Sequence, residues 1–211
     1  MKYVNKLSPT TWFIVVVVIV FVLFYFSVNN SAATKDENVN GEWSNVGVTV
    51  QRRLDLYPAL EAAIVGMDTS QLAVFEALAE QAGNLAGAFK YDAGHNALPP
   101  QNEEEARLVE ERLNSFNNAL VVAMNYAADN PDIVNVVLYE DFMMQAEGTE
   151  NRIAVARKRY NEAVEDARTF CRKMPASFFC NMSGYDVNDW VYFNASEEAQ
   201  KPPELDFGVN D

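Results

Sequence analysis

The chain has 211 residues, a net charge of −14 and a pI near 4.4. That length allows one domain or two. The acidity argues against nucleic acid as a partner, and against attraction of the whole protein to anionic lipid, because both need a basic footprint. One histidine, His95, and two cysteines, Cys171 and Cys180, fall short of the four ligands of a structural zinc site unless a carboxylate joins them.

Residues 1–10 form a short flank that carries Lys2 and Lys6. The run TWFIVVVVIVFVLFYF that follows has no charge, and with Ser27 and Val28 it predicts a transmembrane helix over 11–28, with Trp12 and Tyr25 placed as interfacial anchors. A cleaved signal peptide, with Ser31-Ala32-Ala33 as its small residues, is the second reading; the apolar run is long for one. Lys2, Lys6 and the amino terminus outweigh Lys35, so the charge rule leans towards a cytoplasmic N-terminus and an external domain. Residues 29–41 are polar and read as a juxtamembrane linker, or as a polar turn in a helix continuing from the membrane.

From Trp43 the apolar residues recur at steps of three and four: Trp43, Val46, Val50, Leu54, Tyr57, Leu60, Ile64, Met67. This spacing predicts a long amphipathic helix, kinked or briefly broken at Pro58. Asp68-Thr69-Ser70 signals the next start, and the stripe Leu72, Phe75, Leu78, Ala82, Leu85, Phe89 carries a second helix to about Tyr91. Residues 92–101 make a Gly- and Pro-punctuated loop, with His95 solvated in it. Asn102 caps a third helix, and Glu103, Glu104 and Glu105 suit its dipole. Its stripe is Val109, Leu113, Phe116, Leu120, Met124, Ala127.

Asp129-Asn130-Pro131-Asp132 breaks the chain. The β-branched run 132–139 could pass for a strand, but a lone strand is not stable, so it reads as a helical turn leading into a last helix from about Glu140 to Met174. The stripe there is Ile153, Ala156, Tyr160, Ala163, Ala167, Phe170, Met174, and Pro175 ends it. Residues 177–194 are irregular and aromatic, and 195–211 form an acidic tail. Cys171 and Cys180 read as two unpaired, partly buried thiols in preference to a disulfide. Four such stripes predict an all-α fold: the membrane helix, then an antiparallel up-down bundle of about four long helices over 42–194, too irregular for a strict coiled coil.

No GxSxG, P-loop, HExxH or GxGxxG occurs, and one histidine rules out the paired Glu-x-x-His sets of a di-iron bundle. No catalytic, cofactor-binding or metal-ligating residue is assigned, and an enzyme is not expected. Cationic groups of the first helix (Arg52, Arg53, beside Asp55) and of the last (Arg152, Arg157, Lys158, Arg159, beside Glu150) either pair along a helix seam or form a cationic patch for an acidic partner; the seam is preferred.

Three runs in order after the apolar segment carry a resemblance: Trp43 with QRRLDLYPAL (51–60), TENRIAVARKRYNEAV (149–164), and FNASEEAQKPPELDF (193–207). Together they resemble the LemA family of membrane-anchored helical proteins. The motif positions in this chain are Trp43, Arg52, Arg53, Asp55, Leu56, Pro58, Glu150, Asn151, Arg152, Ala156, Arg157, Tyr160 and Asn161. The resemblance implies a bacterial, single-pass cell-membrane protein with a mostly helical bundle, no established activity and no cofactor. It also implies the opposite orientation, with the bundle in the cytoplasm. The expected role is a scaffold or protein-interaction module at the cell envelope, with an unidentified protein partner and room for a homo-oligomer. The alternative is an envelope structural or sensory component that binds an extracytoplasmic ligand through the aromatic segment 178–193. The run 130–145 departs from the family's usual wording and the stretch 177–190 is individual, and these are where a partner specific to this protein would touch.

Overall fold

The computed structural model describes residues 8–64 and 69–193. The sequence-predicted positions Met67 and Asp68 and the acidic tail lie outside these residues.

Helix α1 runs unbroken from Pro9 to Leu54, 46 residues, a rod of about 69 Å at 1.5 Å per residue. Ser8 caps it: its hydroxyl accepts from the Thr11 amide at 3.2 Å, and Pro9 at the first position gives up no helical hydrogen bond. The N-terminal part of α1 is long and apolar enough to cross a membrane, and the side chains from Phe13 to Phe24 are exposed.

Residues 29–41 are helix continuing from the apolar segment, the second of the two readings, and not a linker. Two things keep them so. Ser31 and Thr34 donate their hydroxyls to the carbonyls of Ser27 and Asn30, each at 2.9 Å, which ties the polar side chains to the helix itself. In addition, Val28, Ala32 and Val39 continue the stripe of Trp43, Val46 and Val50, and all six are buried. Polar composition hid a stripe that was already present.

The break that follows falls at Asp55, three residues before the proline. Pro58 clashes with the carbonyl four residues back, that of Leu54, so α1 ends there. Helix α2 (Leu56–Ala63) resumes at once and buries Leu56, Leu60 and Ala63.

Helix α3 (Thr69–Ala86) and helix α4 (Glu103–Asp129) pack antiparallel, with Phe75 near Tyr126 at one end and Lys90 bonded to Glu105 at the other. Helix α3 stops five residues short of Tyr91. Between the two helices, strands β1 (Lys90–Tyr91) and β2 (Ala97–Leu98) pair antiparallel, Lys90 with Leu98 and Tyr91 with Ala97. Asp92 closes the turn by accepting from the Asn96 amide at 2.8 Å, and His95 takes a left-handed φ of 63°. The hairpin lies on α1 at Gly47: a β-carbon there would stand 2.7 Å from that of Ala97. Asn102 caps α4 by accepting from the Glu105 amide at 2.9 Å.

After α4, Pro131–Ile133 form one 3₁₀ turn, Val134 bridges Ile64, and the Asn135 amide donates to the Ala63 carbonyl at 2.8 Å. Helix α5 then runs from Val136 to Arg172. It is antiparallel to α1: Lys35 pairs with Asp166, Trp43 meets Tyr160, and Arg53 pairs with Glu150. The bundle is thus all-α and up-down, apart from the two-residue hairpin strands. Tyr57 and Phe170 of the predicted stripes are half-buried, while Leu72 and Met174 are exposed.

The segment after Pro175 corrects two expectations. Residues 176–182 form helix α6 (Ala176–Met182), where irregular chain was expected. Cys171 and Cys180 are joined by a disulfide, where thiols were expected. Pro175 turns the chain, and α6 folds back against the end of α5. That brings the two Cα atoms to 5.8 Å, a proximity that linear spacing cannot reveal.

Candidate functional site

Two adjoining clusters occupy the middle of the bundle. The first is an arginine seam. Arg53 is 5% exposed. It donates from Nε to Asn117 Oδ1 at 2.8 Å and from Nη1 to Thr149 Oγ1 at 3.1 Å and the Ala146 carbonyl at 3.3 Å, while Nη2 pairs with Glu150 at 2.6 Å. One guanidinium fork thus ties α1 to both α4 and α5. Burial pushes the Arg53 pKa below its ordinary value, and Glu150 pulls it partly back. Burial also lowers Arg157, opposed by Glu110 and Glu150. Arg157 stands 3.7 Å from Glu110, an ion-pair separation too long for a hydrogen bond, and its guanidinium lies over the Phe193 ring at 4.4 Å.

The second cluster is an aromatic strap. Residues 190–193 cross α1 and α5. The Tyr160 hydroxyl donates to the Val191 carbonyl at 2.7 Å, and the Asn161 side-chain amide pairs twice with the Phe193 backbone, at 2.8 and 2.9 Å. Burial raises the Tyr160 pKa well above its ordinary value. The Trp190 indole donates to Asp36 at 2.8 Å, and Arg168 lies over Tyr192 at 5.0 Å. At the centre, Trp43 sits against the rings of Phe89, Tyr160 and Phe193.

The sequence-predicted positions divide accordingly. Trp43, Arg53, Leu56, Ala156 and Tyr160 are buried, and Arg157 and Asn161 are half-buried beside the strap. Arg52, Asp55, Pro58, Asn151 and Arg152 face outward; Glu150 is exposed but held by Arg53. Sequence reasoning missed Asn117, Glu110, Thr149 and Asp36. A signal for the first two existed: Glu110, Asn114 and Asn117 follow one another at helical spacing beside the stripe of Val109, Leu113 and Phe116.

Chemically, the seam and strap hold elements in register. Among the described residues no group of three or more His, Cys, Asp or Glu could hold a metal ion. A cleft of about 110 Å³ beside Trp43, Phe89 and Val109 is too small for most organic ligands.

These features define a class: a helical bundle whose first helix extends into a segment fit to cross a membrane. The sequence model of the LemA family matches residues 42–207, and the chain belongs to the LemA family. No curated protein matches the chain significantly.

Proposed function

We propose that the protein is a single-pass, non-enzymatic membrane scaffold that presents a protein-interaction surface at a fixed height above the bilayer. The observation that carries this reading is the unbroken helix from Pro9 to Leu54. A hinge between anchor and bundle would let the bundle tumble, whereas one helix fixes its height and orientation. From Val28 to Leu54 the rod rises about 39 Å.

At that far end lies an exposed apolar patch: Val136, Val137 and Leu138 at the start of α5, and Met144 about two turns further on. Exposed patches of this kind mark protein interfaces. The tip coincides with the run 130–145, which departs from the family's usual wording, so we place the protein partner there. The alternative, ligand binding through 178–193, has less support, because Phe179, Trp190, Val191 and Phe193 are buried in packing.

For orientation, the bundle is proposed to face the oxidising side. The Cys171–Cys180 disulfide and the cationic flank of Lys2 and Lys6 both support that side.

Photo-crosslinking in living cells tests the scaffold. A crosslinker replacing Val137 should give a discrete protein adduct that is absent when it replaces exposed Arg159. A flexible insertion between Val28 and Asn29 should weaken the adduct. No specific adduct at Val136, Val137 or Met144 would contradict the proposal.

A further inference from the structure

The end of α5, the Pro175 turn and α6 form an elbow that folds back along the apolar half of α1. The Phe179 ring lies 5.1 Å from that of Phe21, 5.4 Å from that of Phe24 and 6.4 Å from that of Tyr25. Those three residues belong to the apolar run itself.

Depth follows from helix geometry. A hydrocarbon core of about 30 Å takes about 20 helical residues, and Pro9–Val28 supplies that length. With Val28 at the boundary, Tyr25 lies about 4.5 Å inside it and Phe21 about 10 Å inside. Helix α6 packs on these residues, so it shares their depth.

The outward face of the elbow fits that position. Met174 is 78% exposed, Phe178 55% and Met182 49%, three large apolar side chains that present much of their surface outward. Just before the turn stand the exposed cations Arg172 and Lys173, in a chain that is otherwise acidic. A groove of about 330 Å³ between span and elbow is walled by Phe24, Val28, Phe170, Met174 and Lys173. Apolar walls with a cation at hand match an acyl chain below an anionic headgroup. The Cys171–Cys180 bridge ties α6 to α5, so the elbow is held as a wedge.

We infer that the elbow Arg172–Met182 is a second membrane contact: it inserts Met174, Phe178 and Met182 among the acyl chains and seats an anionic phospholipid at Lys173. The inference rests on the apolar part of α1 being a membrane span. It adds that the bundle is fixed at two points, which resists rotation about the α1 axis.

The test uses full-length protein in bilayers of equal parts phosphatidylcholine and phosphatidylglycerol, with or without bromine on the acyl chains. Trp12 of the unchanged chain reports the span. Phe178→Trp in a Trp12→Phe background reports the elbow, Met174→Trp gives a second report should the first disturb folding, and Tyr91→Trp on the hairpin serves as a control; Trp43 and Trp190 are a shared background. An indole about 5–10 Å below the headgroups lies within reach of the bromines, so the elbow emission should fall about twofold while the hairpin emission is unchanged. Replacing Lys173 with Gln should reduce the preference for phosphatidylglycerol at that position. Quenching of Trp12 without quenching at either elbow position would overturn the inference and leave the span intact. No quenching at any position would overturn both. Shielding of the elbow indoles from both bromine and aqueous acrylamide would overturn it in favour of a second copy of the chain covering the face.

Discussion

Replacing Arg53 with Met, and separately with Ala, separates the two ways in which the seam can stabilise the bundle. The guanidinium makes three hydrogen bonds and one ion pair, which at face value would be worth several kcal/mol. The structure argues for much less. Glu150 is 64% exposed, so its pairing is screened and worth no more than about 1 kcal/mol. Thr149 donates to the Ala146 carbonyl at 2.9 Å, a bond within α5 that does not depend on the arginine. The Arg53 pKa lies below its ordinary value, with desolvation by burial ahead of the opposing pull of Glu150, which marks burial as a cost to the cation. A methionine keeps the methylene stem and escapes that cost, so Arg53→Met should change stability by about 1 kcal/mol or less. Alanine also discards two methylenes, Cγ and Cδ, at about 0.8 kcal/mol each, and leaves a gap that costs about as much again, so Arg53→Ala should cost about 3 kcal/mol. Urea titration of the full chain in mild detergent, followed by far-UV ellipticity, reads both as midpoint shifts at unchanged slope. Equal losses of about 3 kcal/mol for the two variants would refute the reasoning and place the energy in the polar contacts.

Gly47→Ala should destabilise by about 1–3 kcal/mol, because its new methyl meets the Ala97 β-carbon, which has no torsion to move it away; Gly41→Ala, with nothing within 4 Å, should instead gain up to about 1 kcal/mol by helix propensity. The same urea titration checks both. Tyr160→Phe leaves the buried Val191 carbonyl without its hydroxyl donor and should cost about 1–2 kcal/mol, with faster proteolysis near 190–193 as a second readout. On acidification the hairpin should loosen before the bundle. The Asp92 carboxyl is held below its ordinary value of 3.8, first by the Asn96 side chain, and that of Glu105 below 4.5, first by Lys90. Depressed carboxylates contribute stability above their unfolded values and lose it as pH falls through the folded ones. The protection factor of the Asn96 amide, its exchange rate corrected for intrinsic pH dependence, should therefore be steady from neutral pH down to about 5 and fall below about 4; a protection factor that rises on acidification would contradict the assignment.

How much of this was readable in the sequence depended on whether a signal was periodic. The stripes from Trp43 to Ile64 and from Ile153 to Ala167 predicted helices, and those side chains are buried but for Tyr57. The Asn102 cap was readable because an acceptor before three acidic residues has one local use. Polarity misled at 29–41, since Ser31 and Thr34 bond within the helix and the sparse stripe of Val28, Ala32 and Val39 is easily overlooked. Proline misled by position, because its clash acts at Leu54 and not at Pro58. The elbow was unreadable: what brings Cys180 back to Cys171 and Phe179 to Phe21 is the path of the chain after Pro175. The strap was half readable. Tyr160 and Asn161 were singled out, but their bonds go to the backbone of residues 191 and 193, and backbone partners leave no trace in side-chain identity.

The central claim is that one continuous helix is both the membrane span and the first helix of the bundle. Hydrogen exchange of residues 29–41, with the full chain in a lipid bilayer, tests it most directly. The account predicts protected amides across this stretch, with protection comparable to that of 43–54 on the same helix. Complete exchange at the rate of unstructured chain, beside a protected 43–54, would show a linker and contradict it.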